Sequence, residues 1–285
     1  MMILQKFRAV IRLMRPELPA AAGLCVVLGQ AIGLGRLPPA GPAALGFLLG
    51  FFLSGSAMIF NDLFDLEVDR VNAPGRVLPS GLLTPAEAVA SGLAAAVIAL
   101  VISAAVHPAA FWLCLAAWGL GFLYNWKLKA AGLWGNLVVS ANVAATFLMG
   151  GLSVGQVGNP MVWVFALIAG VFDLAEEIAG DAMDMQGDAL RSSKSVAHVY
   201  GRETALRISS LLFGVVIVLT LVPVLLGETG PAYIIPIAAM DALILLFTAK
   251  LARSRTRDEG HKWMRRMYLS ATLGLAAFLL ARFIR

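Results

Sequence analysis

Nine runs of predominantly apolar residues divide this chain of 285 residues, at 17–35, 41–60, 85–106, 108–124, 132–153, 160–178, 204–226, 231–251 and 264–283. Each approaches the ~20 residues with which an α-helix crosses roughly 30 Å of hydrocarbon. A backbone inside lipid must satisfy its own hydrogen bonds, so the runs predict an all-α polytopic membrane protein of nine transmembrane helices, one integral membrane domain over 1–285. With 60% of residues hydrophobic and 14% charged, a water-soluble enzyme is excluded, and so is a disordered chain. The net charge of +5 is too thinly spread to offer a phosphate backbone a basic face, and no nucleic-acid partner is expected. Cys25 and Cys114 lie inside apolar runs and are expected to be core residues rather than a disulfide.

Thr84-Pro85 and Asn159-Pro160 have the form of a helix cap followed by proline at the first helical position. The turn around His107 and Pro108 is tight, and Gly227 to Gly230 reads as another. The first run resembles a signal-peptide core, but its length and the eight runs that follow lead us to expect that it is retained. Nine spans put the N-terminal tail on the same side as the second, fourth, sixth and eighth connections. That side carries 19 of the 22 lysines and arginines, among them Arg12, Arg15, Arg191, Arg202, Arg207 and a cluster of seven from Lys250 to Arg266; only Arg36, Arg282 and Arg285 lie opposite. The positive-inside rule makes the crowded face cytoplasmic, with the N-terminus inside and the C-terminus outside. The seven-residue cluster is expected to set topology and meet lipid headgroups.

Two acidic segments share that face. In the first, Asn61, Asp65 and Asp69 recur at i, i+4, i+8, one face of a helical continuation of the second run. In the second, Glu177, Asp181, Asp184 and Asp188 recur at four, three and four, again one stripe. A charge at the centre of a membrane helix costs about 2.5–3.5 kcal/mol, so two such stripes imply a polar cavity between helices. Hard oxygen ligands in this pattern suit Mg²⁺, which is commonly completed by water and substrate phosphates. The recurrence after roughly 115 residues hints at a weak internal duplication.

The segment Asn61-Asp62-Leu63-Phe64-Asp65-Leu66-Glu67-Val68-Asp69, continued through Asn72, Pro74, Arg76, Pro79, Ser80 and Gly81, resembles the first aspartate-rich motif of the UbiA-type intramembrane prenyltransferases. Glu177-Ile178, Asp181, Asp184 and Gly187-Asp188, then Lys194-Ser195 and Tyr200-Gly201, resemble the second; Tyr124-Asn125, Leu128-Lys129 and Gly135-Asn136 resemble the loop after the fourth span. The resemblance covers essentially the whole chain. It implies transfer of a polyprenyl group from its diphosphate to a lipophilic acceptor, in a cavity open to the cytoplasmic side and laterally to lipid. It also implies Mg²⁺ held by Asn61, Asp65, Asp69, Asp181, Asp184 and Asp188, and substrate contacts from Arg70, Arg76, Lys127, Lys129, Asn136, Glu177 and Lys194. Asp65, Asp69, Asp181, Asp184 and Tyr124 are the catalytic expectation, with Tyr124 orienting the diphosphate or shielding an allylic cation.

The motif forms most resemble the archaeal ether-lipid group of the family, whose acceptor is a prenylglyceryl phosphate. Two positions depart from that group: Glu176 stands where it has arginine, and Ser195-Val196-Ala197 replaces Thr-Leu-Pro. An aromatic acceptor is the alternative. A cation-coupled transporter would instead place its acids near the midplane at broken helices, and the Asp-Gly motif of CDP-alcohol phosphotransferases is absent. Asp241, well within the eighth run, reads as a buried acid bonded to its neighbours. Asn136 and Asn142 either line the cavity or join helices; His107, His198 and His261 show no ligand spacing.

Overall fold

Helices form wherever the apolar runs fall. The computed structural model describes residues 2–188, 194–227 and 230–283, and among them there is no β-strand. In chain order the helices are α1 (Met2–Met14), α2 (Glu17–Leu34), α3 (Ala40–Phe64), α4 (Leu66–Asn72), α5 (Pro85–Val106), α6 (Pro108–Leu123) and a π-helical turn (Tyr124–Leu128). There follow α7 (Leu133–Ser153), α8 (Pro160–Asp188), α9 (Val196–Tyr200), α10 (Arg202–Leu219), α11 (Val222–Leu225), α12 (Pro231–Ala252) and α13 (Arg257–Phe283). Arg191 and Thr229 lie outside the described residues, as do the side chains of Asp188 and Arg282.

Among the described residues, seven helical stretches are long and apolar enough to cross a membrane: Glu17–Leu34, Ala40–Phe64, Pro85–Val106, Pro108–Leu128, Leu133–Ser153, Arg202–Leu225 and Pro231–Ala252. The other two expected spans, 160–178 and 264–283, fall on α8 and α13, which are helical but more polar. Asp173, Glu176 and Glu177 lie inside the first, and α13 opens on charged residues. The predicted boundaries hold where local chemistry fixes them. Thr84 and Glu87 close a reciprocal capping box, Glu87 N–H donating to Thr84 Oγ1 (3.2 Å) and Thr84 N–H to Glu87 Oε2 (2.9 Å). Asn159 Oδ1 accepts from Met161 N–H (3.0 Å), and the extended His107 separates α5 from α6.

The chain forms two compact units, one of Met1–Lys127 with Ala145–Trp163, the other of Leu128–Ala144 with Val164–Arg285. In the first, small residues bring helices close. A Cβ on Gly150 would lie 2.2 Å from Val26 O, and one on Gly29 would lie 2.3 Å from Phe147 O, so α2 and the end of α7 touch backbone to backbone. Polar side chains join helices too: Trp118 Nε1 donates to Ser56 Oγ (3.1 Å), whose hydroxyl donates to Gly92 O (2.8 Å), linking α6, α3 and α5. In the second unit, Ser209 Oγ donates to Ala175 O (2.8 Å), joining α10 to α8. Phe278 of α13 packs on Phe165 and Tyr233. Asp241 is bonded to a neighbour as expected, accepting from Thr220 Oγ1 (2.7 Å).

Two glycine-to-alanine changes should therefore have opposite signs. Gly150→Ala forces backbone apart and should destabilise by about 1–3 kcal/mol. Gly119→Ala, on α6 with nothing within 4 Å of the new Cβ, should be neutral or stabilise by up to about 1 kcal/mol. Thermal unfolding of both purified variants in detergent measures this; equal midpoints would contradict the close approach of α2 and α7.

Candidate active site

In the first unit the acidic segment follows a break in the helix. α3 ends at Phe64, Asp65 caps it, and α4 resumes at Leu66. Hydrogen bonding carries across the break: Asp65 N–H donates to Asn61 O (3.0 Å) and Asp69 N–H to Asp65 O (2.8 Å). The predicted i, i+4, i+8 order thus survives, and Asn61 Nδ2 stands 3.5 Å from Asp65 Oδ2. Asp62, Asp65 and Asp69 are only 6%, 8% and 4% exposed. Buried carboxylates require donors, and two are supplied by arginine. Arg76 Nη1 donates to Asp69 Oδ2 (2.5 Å), and Arg15 Nη2 donates to Asp62 Oδ1. Partial burial alone would ease the proton off Arg76, but the hydrogen bond to Asp69 and the charges of Asp69, Asp62 and Asp65 push its pKa above the usual arginine value. Arg15 sits at the break between α1 and α2 with φ +50°, a strained conformation for a non-glycine residue. Arg12, Arg15, Arg76 and Asp62 line a cavity of about 350 Å³, together with Ala73, Gly75 and Val77.

Arg70, Tyr124 and Lys127 are the other predicted residues of this unit. Arg70 is exposed and paired with Glu67 (2.7 Å), on the outer side of α4. Tyr124 and Lys127 belong to the π-helical turn that ends α6, a distortion that widens the helix and recurs at functional sites. Tyr124 is half-buried, and exposed Lys127 lies over the Trp126 ring at 4.1 Å. Asn125 Oδ1, in the same turn, is buried with no hydrogen-bond partner among the described residues.

In the second unit, α7 and α8 form a polar ladder. Asn136 Nδ2 donates to Asp181 Oδ2 (2.9 Å), and Ser140 Oγ donates to Asp173 Oδ2 (2.9 Å). The spacing i, i+4 on α7 meets i, i+8 on α8, both one face. Lys129 lies within electrostatic reach of Glu177. The loop that carries Lys129 is tied to Lys194, whose N–H donates to Ala130 O (3.1 Å). Glycine is required there, because Gly132 has φ +62° and a Cβ on it would stand 2.0 Å from Lys194 O. Asp184 accepts from Arg257 Nε (2.7 Å) and lies 3.1 Å from His261 Nε2.

Sequence reasoning thus missed Arg15, Asp62, Asp173, Arg257 and His261. Arg257 was grouped with a basic cluster, and His261 was given no role because its partner lies 77 residues away in sequence. Only Asp62 and Asp173 carried a local signal, as carboxylates at or inside apolar runs. Among the described residues no group of three or more His, Cys, Asp or Glu side chains converges on a point that could hold a metal ion. The donors are nonetheless hard oxygens, buried in the first unit and oriented by amide or guanidinium partners, a set chemically suited to Mg²⁺.

The profile of the UbiA prenyltransferase family matches residues 22–277. The chain belongs to this family. It is 31% identical to the digeranylgeranylglyceryl phosphate synthase of Thermococcus kodakarensis over 280 residues, covering 98% of this chain and 100% of that one. A solved digeranylgeranylglyceryl phosphate synthase structure superposes with a TM-score of 0.81 at 26% identity, covering 98% of this chain and 99% of that chain. A UbiA homologue from Archaeoglobus fulgidus bound to DMAPP and Mg²⁺ shares the fold, with a TM-score of 0.68 at 20% identity and coverage of 95% and 98%. The chain is therefore an intramembrane prenyltransferase, a membrane enzyme of the UbiA family.

Burial separates the arginines of this UbiA-family site. Removing Arg15 leaves Asp62 buried without its cation, so Arg15→Leu should destabilise by about 2 kcal/mol or more. Arg70→Leu breaks an exposed pair and should change stability by less than about 1 kcal/mol. Chemical denaturation of the two variants in the same micelle tests the contrast; equal losses would contradict the buried Arg15–Asp62 pair.

Proposed function

We propose that this chain transfers a polyprenyl group from an allylic polyprenyl diphosphate to a prenylglyceryl phosphate, releasing diphosphate, with Mg²⁺ as cofactor. The observation that carries this reading is the match, over nearly its whole length, to digeranylgeranylglyceryl phosphate synthases in both sequence and fold. The Mg²⁺ and the allylic diphosphate bound by the Archaeoglobus fulgidus homologue support the donor and the cofactor. The arginine-lined cavity beside Asp62 supports a substrate that carries phosphate.

In this reading Asn61, Asp65 and Asp69 of the first unit would hold Mg²⁺ directly or through water, and Asp181, Asp184 and Asp188 of the second would do likewise. Bound Mg²⁺ supplies neutralisation of the charge that develops on the departing diphosphate. Arg76 and Lys129 bind diphosphate oxygens, and Lys194, tied to the Lys129 loop, adds a cation at the same place. Asn136 orients Asp181, and Ser140 and Asp173 continue the polar face along α7 and α8. Tyr124, on the widened turn, orients the donor and keeps water from the allylic carbon. Glu177 remains near Lys129 and fixes its position. Lys127 and Arg70, both exposed, contribute long-range positive potential rather than direct contacts.

The membrane placement belongs to the same proposal: nine crossings of the cytoplasmic membrane, with the N-terminus and the acidic segments on the cytoplasmic side and the C-terminus outside. The released diphosphate then enters water while the prenyl chain stays in lipid.

Purified protein supplied with labelled geranylgeranyl diphosphate, Mg²⁺ and either geranylgeranylglyceryl phosphate or aromatic acceptors tests the reading. Ether product should form only with the glyceryl phosphate and should vanish in excess EDTA. Asp65→Ala and Asp181→Ala should each lower turnover by about 10²–10³-fold, while His198→Ala stays near the parent rate. A prenylated aromatic product would replace the acceptor assignment, and full activity in EDTA would remove the metal from the mechanism.

A further inference from the structure

A second cavity lies in the second unit, where α10 begins and α12 ends. It is a groove of about 740 Å³ whose polar lining is Arg202, Glu203, Arg207, Ser210 and Ser254. Arg202 Nη2 is held by neutral groups, donating to Ser254 Oγ (3.1 Å) and approaching Met183 Sδ (3.6 Å). Among the described residues no carboxylate pairs with it. The Glu203 carboxylate stands 3.8 Å from Arg207, with both side chains largely exposed, a contact that solvent screens. Two guanidinium groups therefore face the groove with donors to spare, and the fork of a guanidinium matches a phosphate. Ser210 commits its hydroxyl proton to Leu206 O (2.7 Å), which leaves its oxygen free to accept from a ligand hydroxyl.

The remaining wall is apolar, formed by Leu206, Leu211 and Ala252. Leu211 is 71% exposed, and the stripe continues through Val215 and Val218, at 44% and 62%. These positions, i, i+4 and i+7, share one face of α10, which lies in a stretch long and apolar enough to cross a membrane. A cationic mouth thus opens onto an uncovered apolar rail. Free phosphate would use only the mouth, and a neutral lipid only the rail. We propose that this groove binds one anionic phospholipid, its phosphate on Arg202 and Arg207, a headgroup hydroxyl on Ser210 and a hydrocarbon chain along Leu211, Val215 and Val218.

A different set of cations supplies the control. Lys262 and Arg266 gather with Lys250 around Trp263, within 4.9–5.9 Å of its ring, on α12 and α13. Delipidated protein in detergent, titrated with phosphatidylglycerol and followed by native mass spectrometry, should retain one lipid tightly; phosphatidylcholine should not be retained. The double substitution Arg202→Gln, Arg207→Gln should weaken retention by about tenfold or more, the scale of lost charge-assisted hydrogen bonds. Ala252→Trp, which fills the groove and keeps both charges, should do the same and covers the case in which the arginine variant does not fold. Lys262→Gln with Arg266→Gln should leave retention unchanged. Equal loss in that control would make the attraction a general surface charge, and retention unaffected by either groove variant would leave no site. Competition by inorganic phosphate would make the groove a pocket for a soluble anion. Each of these results overturns the proposal.

Discussion

A carboxylate buried at the end of an apolar helix must find a donor or lose its charge, and the segment after α3 is built around that demand. Asp69 and Asp62 are answered by Arg76 and Arg15, which come from opposite directions along the chain. Arg76 can be held in place because the residues after it are core: Val77, Leu78 and Leu83 are buried in one cluster with Ile59, Ala88 and Leu13. Ser80 N–H then returns to Arg76 O (3.0 Å), so the loop from α4 to α5 is pinned by apolar packing on one side of the arginine and by Asp69 on the other. Arg15 is held by its position between α1 and α2, at the cost of a strained backbone. The two pairs fix the acidic face before any substrate arrives, which is what electrostatic catalysis requires of its donors and acceptors.

The second unit meets the same demand with weaker partners. Asp181 and Asp173 each accept from a neutral group of α7, an amide and a hydroxyl. Asp184, half-exposed at its end of α8, has cationic company in Arg257 and His261 from the start of α13. Both segments thus combine arginine and amide donors, Arg76 and Asn61 in the first and Arg257 and Asn136 in the second.

The helices were legible because lipid-length apolar runs have few alternative folds, and the caps at Thr84 and Asn159 were legible because they are local. α8 and α13 fit the same runs but carry the polar residues that the site uses, so they are helices without being uniformly apolar. The acidic stripes were legible from their spacing. Their partners were not, because Arg15–Asp62, Asn136–Asp181 and Arg257–Asp184 join positions 47, 45 and 73 residues apart, and no helical period reaches that far. The break at Asp65 and the π-helical turn at Tyr124 were also hidden: each changes a helix by about one residue without altering the pattern of apolar and polar positions. Arg70 shows the opposite failure, a basic residue beside the motif whose side chain points to Glu67 and solvent.

We propose that this UbiA-family chain captures a prenyl diphosphate through a divalent cation held by the aspartates of its acidic segments. Calorimetric titration with an unreactive geranylgeranyl diphosphate analogue, with and without Mg²⁺, tests it without depending on turnover or on the acceptor. Binding should require Mg²⁺ in the parent protein and be lost in Asp69→Asn and Asp181→Asn even when Mg²⁺ is saturating. Equal affinity in the absence of any divalent cation, or undiminished Mg²⁺-dependent binding in both variants, would contradict it.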